Sequence, residues 1–515
     1  MAVRVIVLQG LMPEWLELFG SLHSSDGWTP IYWVMEEKFR DPVRARFPEV
    51  IFHDNLAAIR GIPAPEMSDL VLFPVDQAVL EELSFHQTIA LWMMDRMDPG
   101  HCFSLAERMR HWRRLLAYWG GVLRRLKPDL VVFPESPHAI YDYAIYALCA
   151  QLGVRMVHFH KAPPLRLVFP LERFESEYPQ VAKAYAQALE RPTREGMELS
   201  VDAQRELARI NSPAQAPEPY WMQWQTDRAR SQPPWWRRWL GMARHPERLV
   251  NSVRRGIAFL TDPAPANYLK LRDQDLERSY IGGLAWRRHR AQAQRRNQAL
   301  RRYYESRCRP PDLSRPFIFV PLHYQPEKTT SPDGGVFVDQ YLMVEMLSRS
   351  LPQGWRILVK EHGSHFLFFY RGCYSRSPVF YDDLASLPQV ELLPVSTPAA
   401  TLISAAQAVA VVTGTAGWEA VVLGKPALIF GHPWYKGCEG AFHVQTMDAL
   451  SDAIEKIRMG YRPDPERLWR YVWALEHVGT RAYLEHIARD VMGISREENT
   501  RRLASALRGF LAGEG

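Results

Sequence analysis

The chain has 515 residues, 47% hydrophobic and 23% charged, a balance that excludes a disordered or fibrous protein and calls for more than one folding core. Its formal charge of +6 suits anionic partners (nucleotide phosphates, acidic sugars, an anionic membrane surface or nucleic acid) without choosing among them, and its 17 tryptophans suit interfaces and carbohydrate-facing surfaces as well as cores. Five scattered cysteines with no C-x-x-C pair argue against a disulfide framework or a zinc site, no apolar run reaches the roughly 18 residues of a membrane span, and the opening MAVRVIVLQG reads as a strand rather than a signal peptide, so a cytoplasmic protein is expected.

In chain order, Val3 to Leu8 is a short β-branched run that predicts a buried parallel strand. Ile31 to Val34, Asp69 to Pro74 (DLVLFP) and Asp129 to Pro134 (DLVVFP) are the next candidate strands, the last preceded by a basic amphipathic helix closing at Lys127-Pro128. A helix over about 139–151 and a strand over Val154 to Phe159 follow. Strand–helix–strand alternation at this spacing predicts a doubly wound α/β domain over 1–175. The pattern then changes: 176–312 is rich in Arg, Trp and Gln and reads as a mostly helical insertion or linker. A second α/β unit is expected over 313–464, with strands at Phe317 to Leu322, Arg356 to Lys360, Val390 to Leu393, Ala408 to Val412 and Ala427 to Gly431, and helices over 465–515.

Three stretches of the second unit carry candidate chemistry. At Thr413-Gly414-Thr415-Ala416-Gly417, followed by Glu419, a strand ends in a small-residue turn and a helix begins. Unpaired N–H groups and a partial positive charge at such a helix start suit a phosphate, and Glu419, expected in the first turn, suits ribose hydroxyls. Small residues at such turns also serve packing alone. Lys360 and His362 leave the strand before them, where a basic group and an imidazole suit a phosphate oxygen or a leaving group; Lys360 alternatively pairs with Glu361. His323, Gln325 and Lys328 lie in the loop after the unit's first strand, which opens on the same sheet edge if the strands are parallel. In the first unit, Glu135 leaves its strand among His138, His158, His160 and Lys161 and is the candidate general base. Asp76 is a weaker one. The Trp/Arg segment over 221–302 reads as a helical insertion first, as membrane contact second and as nucleic-acid contact last, since no nucleic-acid motif is present. The triplet Asp273-Gln274-Asp275 reads as a solvated cluster, and no metal site or cofactor is expected.

FVPLHYQPE, LVKEH and VVTGTAGWEAVVLGKPALIFGHPWY resemble the C-terminal domain of capsule polysaccharide biosynthesis proteins, a family that includes Kdo transferases using the CMP-linked sugar. The resemblance covers about 316–445. It implies two Rossmann-like domains facing across a cleft (GT-B), with the donor nucleotide on the second and a saccharide or lipid-linked acceptor on the first. It also implies glycosyl transfer from CMP-Kdo or another nucleotide sugar in the cytoplasm or at the inner membrane face. The family's usual His-Pro pair is His362-Gly363 here, so UDP-sugars remain open. A nucleotide-sugar epimerase of the same fold and a non-catalytic glycan-binding or assembly protein are the alternatives.

Overall fold

A computed structural model of the chain describes residues 2–8, 13–98, 103–209, 283–325, 327, 329–367 and 372–513. It contains two six-stranded sheets. The first is built from β1 (Val3–Val7), β2 (Trp28–Met35), β3 (Ile51–Asp54), β4 (Leu130–Phe133), β5 (Met156–Ala162) and β6 (Leu167–Leu171). Its order is β3-β2-β1-β4-β5-β6. The second comprises β7 (Phe317–Pro321), β8 (Arg356–Lys360), β9 (Val390–Leu393), β10 (Ala408–Val411), β11 (Ala427–Ile429) and β12 (Ala441–His443), ordered β12-β11-β10-β7-β8-β9. In each sheet the first and fourth strands are neighbours, and chain order runs outward from them in both directions. That is the doubly wound Rossmann order, with a crevice between the two central strands at their C-terminal ends. All pairs are parallel except β5 with β6.

Each sheet is buried on both faces, as parallel sheets must be. One face of the first holds Trp112, Trp119 and Tyr143, the other Trp15, Phe19 and Trp33. The basic amphipathic helix is Leu105–Leu126, started by a capping box in which Ser104 and Glu107 satisfy each other's main-chain N–H. Trp112, Leu115, Leu116 and Trp119 bury its inner face.

The expected strand Asp69 to Pro74 is not one: it runs as irregular chain across that helix. A Cβ on Gly120 would sit 2.6 Å from the Phe73 side chain, and one on Gly121 2.6 Å from the Val71 carbonyl oxygen. The glycine pair is thus a bed for the loop, and the Phe73 N–H donates to the Ala117 carbonyl at 2.8 Å. The near-identical DLVVFP becomes β4 because it lies beside β1, where Asp129 N–H reaches the Arg4 carbonyl at 2.9 Å. Tertiary position decides between two equal local patterns. Glu419 is also displaced from expectation. The helix starts at Thr415 and has no acidic residue in its first turn.

The two halves share an apolar seam. Helices Pro179–Glu190, Val201–Ala208 and Pro465–Val478 pack with Leu167 and Phe169 from β6 on one side and Trp418 and Val421 on the other. The final helix, Arg496–Leu511, returns to the first half, where Arg508 pairs with Asp26 at 2.8 Å. Most of the Trp/Arg segment, including Asp273-Gln274-Asp275, lies outside the described residues. Among the described residues no helix is long and apolar enough to cross a membrane.

Many histidines are buried within these halves. Burial holds His53 and His86 down to about 4, and His111, His158, His323 and His432 to about 3, from an ordinary 6.5. Unfolded imidazoles take up protons near 6.5 that the folded ones refuse until pH 3–4. This contribution to stability is intact above 6.5 and is lost as pH falls towards the folded values. The thermal midpoint is therefore expected to fall continuously from pH 6.5 to 4, measured by calorimetry in matched ionic strength; a flat profile would contradict the burial of these rings.

Candidate functional site

The crevice of the second sheet lies between β7 and β10. The chain leaving β7 reaches His323 at once, and the chain leaving β10 makes the Thr413–Gly417 turn. The structure joins the two. His323 Nε2 accepts the main-chain N–H of Val412 at 3.2 Å and of Thr413 at 3.3 Å. An imidazole nitrogen that accepts is unprotonated, so His323 is neutral with its proton on Nδ1. Burial, then the nearby His362 and Arg376, keep it so at about 3. Gln340 holds the His323 main chain at both ends, accepting from its N–H at 2.7 Å and donating to its carbonyl at 3.3 Å.

Gly414 is required by this ring: a Cβ there would lie 2.8 Å from His323 Cε1. Its carbonyl accepts the Tyr435 hydroxyl, against which Gly417 also packs. The Thr413 hydroxyl donates to the Thr329 carbonyl at 3.1 Å. The Gln325 side chain is spent inside its own loop, on Thr330 and on the Glu327 N–H at 3.2 Å. His323, Gln325, Thr413 and Gly417 are thus engaged in building the turn. Lys328 lies outside the described residues.

The turn leaves its helix start uncapped. Gly414 supplies no side-chain cap to helix Thr415–Val422, so among the described residues the N–H groups of half-buried Thr415 and Ala416 have no side-chain capping partner. Glu419 stands one turn beyond Thr415 on the same helix face. Burial raises its pKa, Arg209 lowers it, and Arg209 lies at 3.9 Å.

At the end of β8, Glu361 is fully buried and takes Arg376 at 3.2 Å, the Tyr381 hydroxyl at 2.9 Å and the His362 N–H at 2.8 Å. Burial would raise this carboxyl, but His365, Arg376 and those hydrogen bonds more than offset it. Its charge is therefore met by Arg376 and not by Lys360, which makes no ion pair among the described residues. Burial lowers the Lys360 ammonium from its ordinary value. The His362 Nδ1 accepts the Ser364 N–H at 3.2 Å, which leaves Nε2 to carry the ring proton. Burial lowers its pKa too. His362 is accordingly a neutral hydrogen-bond donor.

In the first half, the exit of β4 carries Glu135. Lys161 from β5 pairs with it at 3.0 Å and also with Glu485 from the C-terminal segment. Burial would lower the Lys161 ammonium, yet the two carboxylates hold it above its ordinary value. His138 Nε2 lies 3.8 Å from Glu135. The loop then bends through Ile140, a β-branched residue at φ +70°, a strained conformation costing about 1–3 kcal/mol. Asp142 holds that bend by accepting the N–H groups of His138 at 2.8 Å, Ala139 at 2.7 Å and Tyr143 at 2.7 Å. Burial raises Asp142 to about 6, against those bonds and Arg96. Asp76 caps helix Gln77–Glu82 through the Val79 N–H.

The two edges meet. Arg96 donates to the His138 carbonyl and feels the carboxylates of Asp142, Glu327 and Glu135, so it lies between the β4 exit and the loop after β7. Lys436 Nζ donates to the carbonyls of Phe174 at 3.1 Å and Glu175 at 2.7 Å, and the Phe174 and His432 rings are 6.1 Å apart. Arg96, Asp142, Arg376 and Lys436 are not expected at the site from the sequence motifs. A signal was present for Lys436, since GHPWYK leaves β11 beside the small-residue turn. Among the described residues no group of three or more His, Cys, Asp or Glu side chains is placed to hold a metal ion.

Residues 238–446 match the family described as capsule polysaccharide biosynthesis protein, a match that begins upstream of the region where the sequence motifs lie. No curated protein matches over the chain. Among solved structures, the chain is similar to Thermosulfurimonas dismutans KpsC, a beta Kdo 2,7 transferase, at 20% identity and a TM-score of 0.24, over 41% of this chain and 61% of that one. It is also similar to the UDP-GlcNAc 2-epimerase of Methanocaldococcus jannaschii, at 11% identity and a TM-score of 0.24, over 92% and 99% of the two chains. A third is CalG4, the calicheamicin glycosyltransferase, at 13% identity and a TM-score of 0.20. The architecture rests on the two sheets themselves.

Two substitutions test the scaffold of the site. Asp142→Ala frees three N–H groups around a strained bend and is expected to lower stability by about 3 kcal/mol in denaturant titration. His323→Phe keeps a ring of similar shape but removes the acceptor of two buried N–H groups, and is expected to lower stability by about 2 kcal/mol. A wild-type midpoint in the latter would show that the turn does not depend on the imidazole.

Proposed function

We propose, with the capsule polysaccharide biosynthesis region at 238–446 as premise, that the protein is a glycosyltransferase that moves a sugar from a nucleotide-sugar donor to a saccharide or lipid-linked acceptor. The observation that carries this reading is the uncapped start of helix Thr415–Val422 on the sheet edge that meets the β4 exit. Preorganised main-chain donors there favour a phosphate and lose nothing to reorganisation when it binds.

In this reading the donor's phosphate sits on the Thr415 and Ala416 N–H groups, with the His362 Nε2–H and the Lys360 ammonium beside it. Glu419 accepts from ribose hydroxyls. As the glycosidic bond to phosphate breaks, the helix start, His362 and Lys360 offset the charge that develops on the leaving oxygen. His362 acts as a hydrogen-bond donor rather than a proton donor, since its pKa is lowered. Glu135, paired with Lys161 at 3.0 Å, takes the proton of the attacking acceptor hydroxyl. CMP-Kdo and other nucleotide sugars are the donor candidates, and the reaction takes place in the cytoplasm or at the inner membrane face, with no cofactor.

A thermal-shift screen of the full chain with CMP, UDP, GDP and their sugars tests the donor site. A ligand at 100 times its dissociation constant adds about 2.7 kcal/mol of apparent stability, and only one base is expected to do so at low concentration. No response to any nucleotide would remove the reading. With the responding nucleotide, Glu419→Ala is expected to weaken calorimetric affinity by at least about tenfold. Glu135→Gln is expected to leave that affinity unchanged while lowering turnover by about 100-fold or more.

A further inference from the structure

We propose that the outer face of helix Leu105–Leu126, together with the loop lying on it, docks the protein on an anionic phospholipid bilayer. The loop Asp69–Pro74 presents Val71 at 86% exposure and Leu72 at 58%. Two adjacent aliphatic side chains that open to water have no role in the core. The loop is not a loose excursion: Gly120 and Gly121 seat it against the helix, and the Phe73 N–H anchors it to Ala117. Its apolar tip is therefore held outward by packing.

The helix supplies the charge. Arg110, Arg113 and Arg114 lie on one side of the loop's crossing, and Arg124, Arg125 and Lys127 on the other, all exposed. The three- and four-residue spacing of the arginines puts them on the stripe that also carries Ala117 and Gly121, the residues under the loop, and Lys127 follows as the helix's C-cap. Arg114 and Arg124 are about 15 Å apart along the axis, which brackets the loop within one patch. The Arg124 guanidinium stacks on the Phe73 ring, with 4.2 Å to its centroid. Arg125 pairs with exposed Asp69 at 2.7 Å. Arg110, Arg113, Arg114, Arg124 and Lys127 have no ion pair among the described residues.

An aliphatic tip flanked by unpaired arginines matches the boundary of an anionic bilayer. The side chains enter the acyl region and the guanidinium groups meet phosphates at headgroup level. A protein partner would need complementary acidic groups and shape. The inference is independent of the catalytic reading, because docking requires neither donor nor acceptor.

Vesicle co-sedimentation of the full chain tests it, with phosphatidylcholine alone and with about one third phosphatidylglycerol. Binding is expected only to the anionic vesicles and is expected to weaken as salt rises. Val71→Asp with Leu72→Asp, and separately Arg113→Glu with Arg114→Glu, are each expected to weaken partition by at least about tenfold, with the thermal midpoint and any nucleotide response unchanged. Equal binding by the wild type and both variants would place membrane contact elsewhere in the chain and overturn the proposal. So would absence of binding, or equal binding to neutral vesicles. A dimer by light scattering that Val71→Asp with Leu72→Asp turns into a monomer, with vesicle binding unchanged, would assign the face to a second copy of the chain instead.

Discussion

His323 stands where the doubly wound order brings two strand exits together, and its unprotonated Nε2 accepts the N–H groups of both Val412 and Thr413. The geometry of the small-residue turn follows from that one acceptor. The ring fixes the height of the turn, so the residue above it must be glycine. The turn then directs the start of helix Thr415–Val422, and Tyr435 fastens the Gly414 carbonyl from the next strand exit. Buried N–H groups without an acceptor cost enough to unmake such a turn. With the acceptor in place, the donors at the helix start are ordered during folding, and a ligand does not have to order them when it binds.

The first half uses a different device for the same end. Its β4 exit is bent through a strained Ile140, and the bend is held by one buried carboxylate that accepts three main-chain N–H groups. Strain persists only where the surroundings over-determine it, and here Asp142 and the helix it heads do so. The outcome is that Glu135 and His138 stand on a fixed loop. Lys161 then ties Glu135 to Glu485, a residue of the C-terminal segment. The tail that crosses back over the first sheet is therefore part of the electrostatics at this edge, and not only a cover for its apolar face.

The sheets were legible in the sequence because buried parallel strands are continuous β-branched runs. Val3 to Leu8, Phe317 to Leu322 and Ala408 to Val412 announce themselves in this way. The short β3 (IFHD) and β6, which contains Pro170, carry no such signal, and DLVLFP carries it falsely. At the candidate site the small-residue turn and the exits at Lys360 and His362 were legible by position. Their division of labour was not. A polar residue that faces inward to support a turn has the same letter as one that faces a ligand. By sequence His323, Gln325 and Thr413 suit a ligand, and the structure engages them internally. The partners of Glu135 come from β5 and from the C-terminal segment, separations over which residue spacing conveys nothing.

The two halves are joined by contacts of unequal strength. On the side of helices Pro179–Glu190 and Pro465–Val478 a continuous apolar cluster runs from one half into the other. Opening it would expose several large side chains, at about 1.5–3 kcal/mol each. On the cleft side the main polar link described is Lys436, with two main-chain carbonyls of Phe174 and Glu175. Two charge-assisted hydrogen bonds are worth roughly 1.5–3 kcal/mol each, and water replaces them readily once the ammonium is exposed. The apolar seam is therefore the stronger of the two contacts.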